Sequence, residues 1–202
     1  TENSEKARRY VENKIEHPIR IISGLEEAKL IRLHPKAQSN TNKIYVDVGG
    51  GSTEVYIYKN GEHIIQSFQL GALRSMLHKD DSDEWNRLNS WLKKQSDVDT
   101  LIGLGGSIKS FLNLNKLKIM SSSVFIKKSD KLKGMNVDEK KEVYNLAEDR
   151  ADVIDHALDI YIKIINSLNI KKIKSTKWGV SDSIAVKTFH ELYSKKISIY
   201  KD

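Results

Sequence analysis

Cysteine is absent from all 202 residues of this chain. A disulfide framework is therefore excluded, as are thiolate nucleophiles and thiolate metal ligands. Proline occurs only twice, too rarely for a long proline-rich linker. No apolar run approaches the roughly 20 residues that cross a bilayer, and the first residues carry no secretory pattern. A cytoplasmic location is the expectation, with no membrane partner. Nucleic acid is not expected as a partner either, because the basic residues are not interleaved with aromatics and no binding module is recognisable.

What is present is a glycine-rich turn between two strands. An apolar strand ends on Asp47 and runs into Gly49, Gly50 and Gly51, after which Ser52, Thr53 and Glu54 open a second strand. Glycine lacks a Cβ, so successive N–H groups can converge on a phosphoryl oxygen, and the flanking acids suit the cation that phosphate chemistry needs. A dinucleotide or Walker loop would lead into a helix. Here Glu54 to Tyr58 reads as a strand, Asn60-Gly61 is a hairpin signal, and His63 to Phe68 reads as another strand. No lysine follows the glycines directly, which removes the residue that grips terminal phosphates in a Walker loop. A hairpin phosphate loop preceded by an acid resembles the sugar kinase, heat-shock protein and actin superfamily.

Further blocks narrow the resemblance. Residues 19–31, IRIISGLEEAKLI, precede the glycine turn, and Leu70-Gly71-Ala72-Leu73-Arg74 follows it. Gly103-Leu104-Gly105-Gly106-Ser107 forms a second glycine loop, and Arg150-Ala151-Asp152-Val153-Ile154 a later motif that opens a helix. In this order the blocks resemble the exopolyphosphatase and guanosine pentaphosphate phosphatase family across about residues 1–190. The resemblance implies a ribonuclease-H-like α/β fold with a β-meander and flanking helices. It also implies a division into 1–32, a remnant of an N-terminal actin-like half, and 33–202, the C-terminal actin-like domain. The family's first strand-turn-strand, with its Asp-x-Gly-Ser phosphate loop, has no counterpart here, nor does an arginine before the segment matching Thr1-Glu2-Asn3. The expectation is that the chain alone lacks one wall of its site and is inactive.

Periodicity predicts helices over 4–16, 26–32, 71–77, 85–94, 107–113, 149–168 and 180–193, with a capping box at Asn136 and Glu139 starting another through Leu146. Strands are predicted over 19–22, 43–48, 53–59, 63–69, 100–104 and 172–177. Residues 78–84 read as a loop, and residues 115–135 give no clear pattern.

The resemblance assigns roles residue by residue. Glu27 matches the catalytic base that activates water, whereas its neighbour Glu26 reads as a surface or helix-dipole residue. Asp47 and Glu54 match the acids implicated in binding Mg²⁺. Gly49, Gly50, Gly51 and Ser52 form one phosphate cradle and Gly105, Gly106 and Ser107 the opposing one at a helix N-terminus. Arg74 is a further phosphate contact. The implied substrates are inorganic polyphosphate and guanosine pentaphosphate, and the resemblance suggests a homodimer. The alternative is an ATP- or polyphosphate-binding actin-fold module without turnover.

The net charge of +7 fits a polyanion steered by a diffuse positive field. Lysines group at 127–128, 131 and 133, 140–141, 171–172 with 174, and 195–196, although such runs are usually solvated surface. None of the six histidines has ligand spacing, and none is assigned a role. Trp85, Trp91 and Trp178 read as core anchors. Gly179-Val180-Ser181-Asp182-Ser183 departs from the family's Gly-Leu-Arg-Glu-Gly, and His156 stands near a position expected to be small.

Overall fold

A computed structural model describes residues 3–38 and 42–199, with side chains described through Tyr193 in the last helix. Thr1 and Glu2, and the side chains of Lys195 and Lys196, lie outside the described residues.

Alternating β-branched and aromatic residues build the predicted meander: β1 (Lys43–Val48), β2 (Thr53–Lys59) and β3 (Glu62–Phe68). Both β1–β2 and β2–β3 are antiparallel. Asn60 and Gly61 have φ of 52° and 83°, the double positive φ of a type I′ hairpin turn. β4 (Thr100–Leu104), β5 (Ile119–Ser121) and β6 (Lys172–Ser175) complete one sheet in the order β3-β2-β1-β4-β6-β5. β4 runs parallel to β1 and β6 parallel to β4, while β5 is antiparallel to β6. This is the mixed sheet of the expected ribonuclease-H-like fold.

Helices α1 (Ser4–Ile15) and α2 (Gly24–Leu30) precede the sheet, α2 continuing into a 3₁₀ turn at Ile31–Leu33. After the meander come α3 (Ala72–Met76) and α4 (Ser82–Leu92); α5 (Gly106–Leu114) follows β4. Between β5 and β6 lie α6 (Ser122–Lys133), α7 (Val137–Tyr144), α8 (Glu148–Ala151) and α9 (Ile154–Leu168), and α10 (Val180–Ile199) comes last.

The period of two splits β1 between faces. Ile44, Val46 and Val48 join Val55, Ile57 and the apolar sides of α5 and α9 in the main core. Tyr45, Tyr56, Ile102 and Leu104 form a smaller core with Ile31 and Ala37 on the opposite face. That second face is where α2 packs on β2 and β3. α1, by contrast, buries no residue. Tyr161 of α9 stitches the parallel strands, its hydroxyl donating to the carbonyls of Val46 and Leu104 at 3.4 and 3.3 Å. Tyr161→Phe leaves the packing intact and is expected to cost about 1 kcal/mol in urea unfolding.

Several expectations are corrected. Ile19 to Ile22 pairs with no strand; the Ile19 N–H instead donates to Glu12 Oε1 at 2.7 Å. The charged stretch 78–84 is not all loop, because Asp81 caps α4 by accepting from the Asp83 N–H. Residues 115–135 hold β5 and α6, the latter capped by Ser121. The helix predicted over 149–168 breaks at Asp152 and Val153. That break lets Arg150 turn to Ser107 Oγ while α9 keeps its apolar stripe on the sheet. The Asn136–Glu139 capping box forms as predicted. Among the described residues, no helix is long and apolar enough to cross a membrane.

Candidate active site

Strand register assembles an acidic row. β1 places Asp47 opposite Glu54, and β3 places Ser67 opposite Glu54, so all three side chains share the face that α2 covers. Glu54 is only 2% exposed and accepts from Ser67 Oγ at 2.9 Å. α2 lies directly above: a Cβ on Gly24 would stand 3.1 Å from Glu54 Oε1. Ser23 and Glu26 form a capping box at the start of α2, with Glu26 also bonding Arg20. Glu26 is thus consumed by structure, and Glu27, one residue on, is left half-buried beside the row.

Three carboxylates in one place repel each other. Burial pushes Asp47 up to about 6, with the charge of Glu27 adding to it. Glu54 is pushed up to about 7, by burial first and then by Glu27 and Asp47, against the hydrogen bonds from Ser52 and Ser67. Burial also raises Glu27 above its ordinary value. Among the described residues no three His, Asp or Glu side chains converge closely enough to hold a metal by themselves. The donor set, two hard carboxylates beside free N–H groups, nevertheless fits Mg²⁺, which keeps several waters and takes only one or two carboxylates beside phosphate oxygens.

The glycine turn is shaped from behind by α3. The carbonyls of Gly49 and Gly50 accept from the N–H groups of Ala72 and Arg74, each at 2.9 Å, and that of Gly51 from Arg74 Nε at 3.0 Å. In a trans peptide the next N–H points opposite to the carbonyl. The N–H groups of Gly50, Gly51 and Ser52 therefore turn away from α3 together, and none donates to a backbone carbonyl among the described residues. Gly49 is the exception to the expected cradle, since its N–H is spent on Ser52 O at 2.9 Å. Arg74, expected as a phosphate contact, braces the turn through Gly51 and Gln69 and lines the cleft on the Glu27 side. Gly71 allows this approach, because a Cβ there would fall 2.6 Å from the backbone of Gly51 and Ser52. Gly71→Ala is expected to cost about 1–3 kcal/mol, read as a lower urea midpoint.

Parallel pairing of Asp47 with Leu104 brings the second loop alongside the first, at the carboxyl ends of β1 and β4 where ligands of α/β sheets bind. Gly105 sits at φ 78°, and any Cβ would strike Asp47 Oδ1. Gly106 and Ser107 then present the open first turn of α5. Arg150 lies over Gly106 and donates to Ser107 Oγ at 3.1 Å. A cleft of 460 Å³ between Asp47, Gly50, Gly106, Ser107 and Arg150 opens on one side of the glycine turn. A second, of 780 Å³, opens on the other, between Glu27, Gly51, Ser52 and Glu54.

A profile of the Ppx/GppA phosphatase family matches residues 1–192. The chain belongs to the Ppx/GppA phosphatase family. The guanosine-5′-triphosphate,3′-diphosphate pyrophosphatase of Aeromonas salmonicida (strain A449) is 25% identical over 182 residues, covering 79% of this chain and 37% of that protein. The chain thus spans little more than a third of that curated relative. Among solved structures, the Aquifex aeolicus Ppx/GppA family member superposes with TM-score 0.69 at 22% identity, over 94% of this chain and 70% of its own. An exopolyphosphatase from Cytophaga hutchinsonii gives TM-score 0.75 at 18% identity, over 94% and 71%. These likenesses establish the shared actin-like fold.

Within this Ppx/GppA chain, Arg150 is the site residue that sequence reasoning passed over. Its motif was legible, but nothing local in the sequence shows that β4 and α5 bring Ser107 beneath it. The departure at 179–183 proves structural: Asp182 accepts from the Gly179 N–H and Ser183 Oγ from Trp178 Nε1, fixing the start of α10. Trp85 and Trp91 pack on the main core as expected, whereas Trp178 instead lines a separate cleft. His156 is half-buried in α9.

Proposed function

We propose that the full-length protein hydrolyses the terminal phosphoanhydride of inorganic polyphosphate or guanosine pentaphosphate, with Glu27 as general base. The observation that carries this reading is the half-buried Glu27 carboxylate, set beside Asp47 and Glu54 and lining one cleft with the Gly50–Ser52 turn. A base held above its ordinary carboxylate value is better matched to taking a proton from water near neutral pH. The N–H groups of Gly50, Gly51 and Ser52 would hold one side of the terminal phosphoryl group, and those of Gly106 and Ser107 the other, aided by the Arg150 charge. Asp47, with Glu54 behind it, would hold Mg²⁺, which supplies neutralisation of the phosphoryl charge when bound. The buried acids supply the negative field that such an ion requires.

Phosphate release by the full-length protein, assayed with Mg²⁺ on long-chain polyphosphate and on guanosine pentaphosphate, tests the reading. Release without any added acceptor from either substrate is the expected outcome and separates a hydrolase from a kinase. No release from folded protein that binds both polyanions would put a binding module in its place.

A further inference from the structure

A third cleft, of 550 Å³, lies on the α2 face of the sheet but away from the acidic row. Its floor is set by register: Tyr45 pairs with Ile102 and Ile102 with Lys174, while Lys43 pairs with Thr100. Its wall is aromatic, formed by His34 and Trp178, with the His34 ring 5.2 Å from that of Tyr45 and 5.8 Å from that of Trp178. Lys36, Lys43, Lys174 and Lys177 line it, and no Asp or Glu does. Lys43 and Lys174 are half-buried, yet neither they nor Lys177 form an ion pair with any described residue. Elsewhere the chain does pair its withdrawn lysines: Lys140, with its side chain 4% exposed, bonds Asp155 at 2.5 Å. Lys43, Lys174 and Lys177, gathered with no ion pair to a described residue, leave a positive hollow, and His34 is held below its ordinary value by burial first and then by Lys36 and Lys43.

The wall is also fixed in place. His34 Nδ1 accepts from the Lys36 N–H at 3.0 Å, so the neutral ring carries its proton on Nε2 and donates to Thr176 Oγ1 at 3.1 Å. Thr176 Oγ1 in turn accepts from the Trp178 N–H, and the indole donates to Ser183. A preformed hollow with an aromatic wall and unpaired cations matches one ligand chemistry: a planar ring to stack and phosphates to neutralise. An inorganic polyanion would use the lysines and leave the rings idle.

We propose that this cleft is a second ligand site that takes a nucleoside polyphosphate, its base against Trp178 and His34 and its phosphates on Lys43, Lys174 and Lys177. The site shares no lining residue with the two clefts at the glycine turn and does not depend on the hydrolase reading. It offers a place for a nucleotide to act without occupying the phosphate cradles.

The test is lysine footprinting on the full-length protein with an acetylating reagent, read by mass spectrometry, with ATP, tripolyphosphate and adenosine as probes. ATP is expected to protect Lys43, Lys174 and Lys177 at concentrations roughly tenfold or more below those needed with tripolyphosphate. A Lys43→Gln, Lys174→Gln variant keeps most of each side chain's length and should weaken ATP binding at this site by roughly tenfold or more while retaining the wild-type melting temperature. Equal protection by tripolyphosphate would reduce the cleft to a general anion patch and overturn the nucleotide assignment. No protection by ATP, or ATP binding unchanged in the variant, would overturn the site itself. Because the footprint is taken on wild-type protein, it decides the matter even if the variant does not fold.

Discussion

Replacing Glu27 by glutamine is expected to slow phosphate release by about 10²- to 10⁴-fold, the size of effect attached to a positioned general base. Glutamine has the same shape, so the packing of α2 on β2 and β3 is kept and the loss falls on proton transfer. The binding terms should move the other way. Removing one charge beside Asp47 and Glu54 relieves repulsion that now raises both acids, so substrate binding should hold or tighten while kcat falls. The pH profile adds a second readout. Burial raises Glu27, so its ionisation should contribute to the acid limb of kcat/KM above pH 4.5, its ordinary value, and the variant should keep only the part of that limb set by Asp47 and Glu54. A variant that keeps its rate to within about tenfold would remove Glu27 from the chemistry and leave it a first-turn acid of α2.

The architecture was legible wherever one local signal was sufficient. β-branched and aromatic alternation gave the meander, Asn60-Gly61 gave the I′ turn, and the stripe from Ile154 to Ile165 gave the long helix. Signals that depend on two distant segments were not legible. Acidic density over 78–84 looks like a loop until Asp81 is seen capping α4, because aspartate serves both roles. Ile19 to Ile22 has strand composition but no neighbouring strand to pair with. The site shows the same division. Asp47 and Glu54 could be named from their spacing around the glycines, but their direct opposition across β1 and β2 is a matter of register. Gly49 looks equivalent to Gly50 in sequence, and only the bond from its N–H to Ser52 O separates a turn-forming glycine from a donating one. Arg74 was named from its motif and Arg150 was not, yet each lines one of the two clefts at the glycine turn, the first bonding Gly51 O and the second lying over Gly106.

Without a bound cation, the acidic row should cost the fold stability as pH rises, and Glu54→Gln should remove much of that cost. At pH 4 and below, the row is largely protonated when folded. The unfolded chain ionises Asp47 near 3.8 and Glu54 near 4.5, whereas the folded chain does so at about 6 and about 7. Between those limits the folded state holds the extra protons, so raising pH favours unfolding, and the loss is complete once the folded groups have ionised. Each displacement corresponds to about 3 kcal/mol at pH 8, though the two titrate as a coupled pair and do not simply add. The glutamine amide retains an oxygen for the Ser67 hydroxyl while removing the charge, so Glu54→Gln is expected to gain about 3 kcal/mol at pH 8 and almost nothing at pH 4. Urea unfolding at the two pH values measures this directly. Millimolar Mg²⁺ should stabilise the wild type at pH 8 and the variant much less, because an ion that binds only the folded row shifts the equilibrium by mass action. A variant destabilised equally at both pH values would mean that Glu54 serves packing alone. The expected pattern would instead show a buried charge kept at a cost in stability, as happens where a site must hold a cation that folding alone does not require.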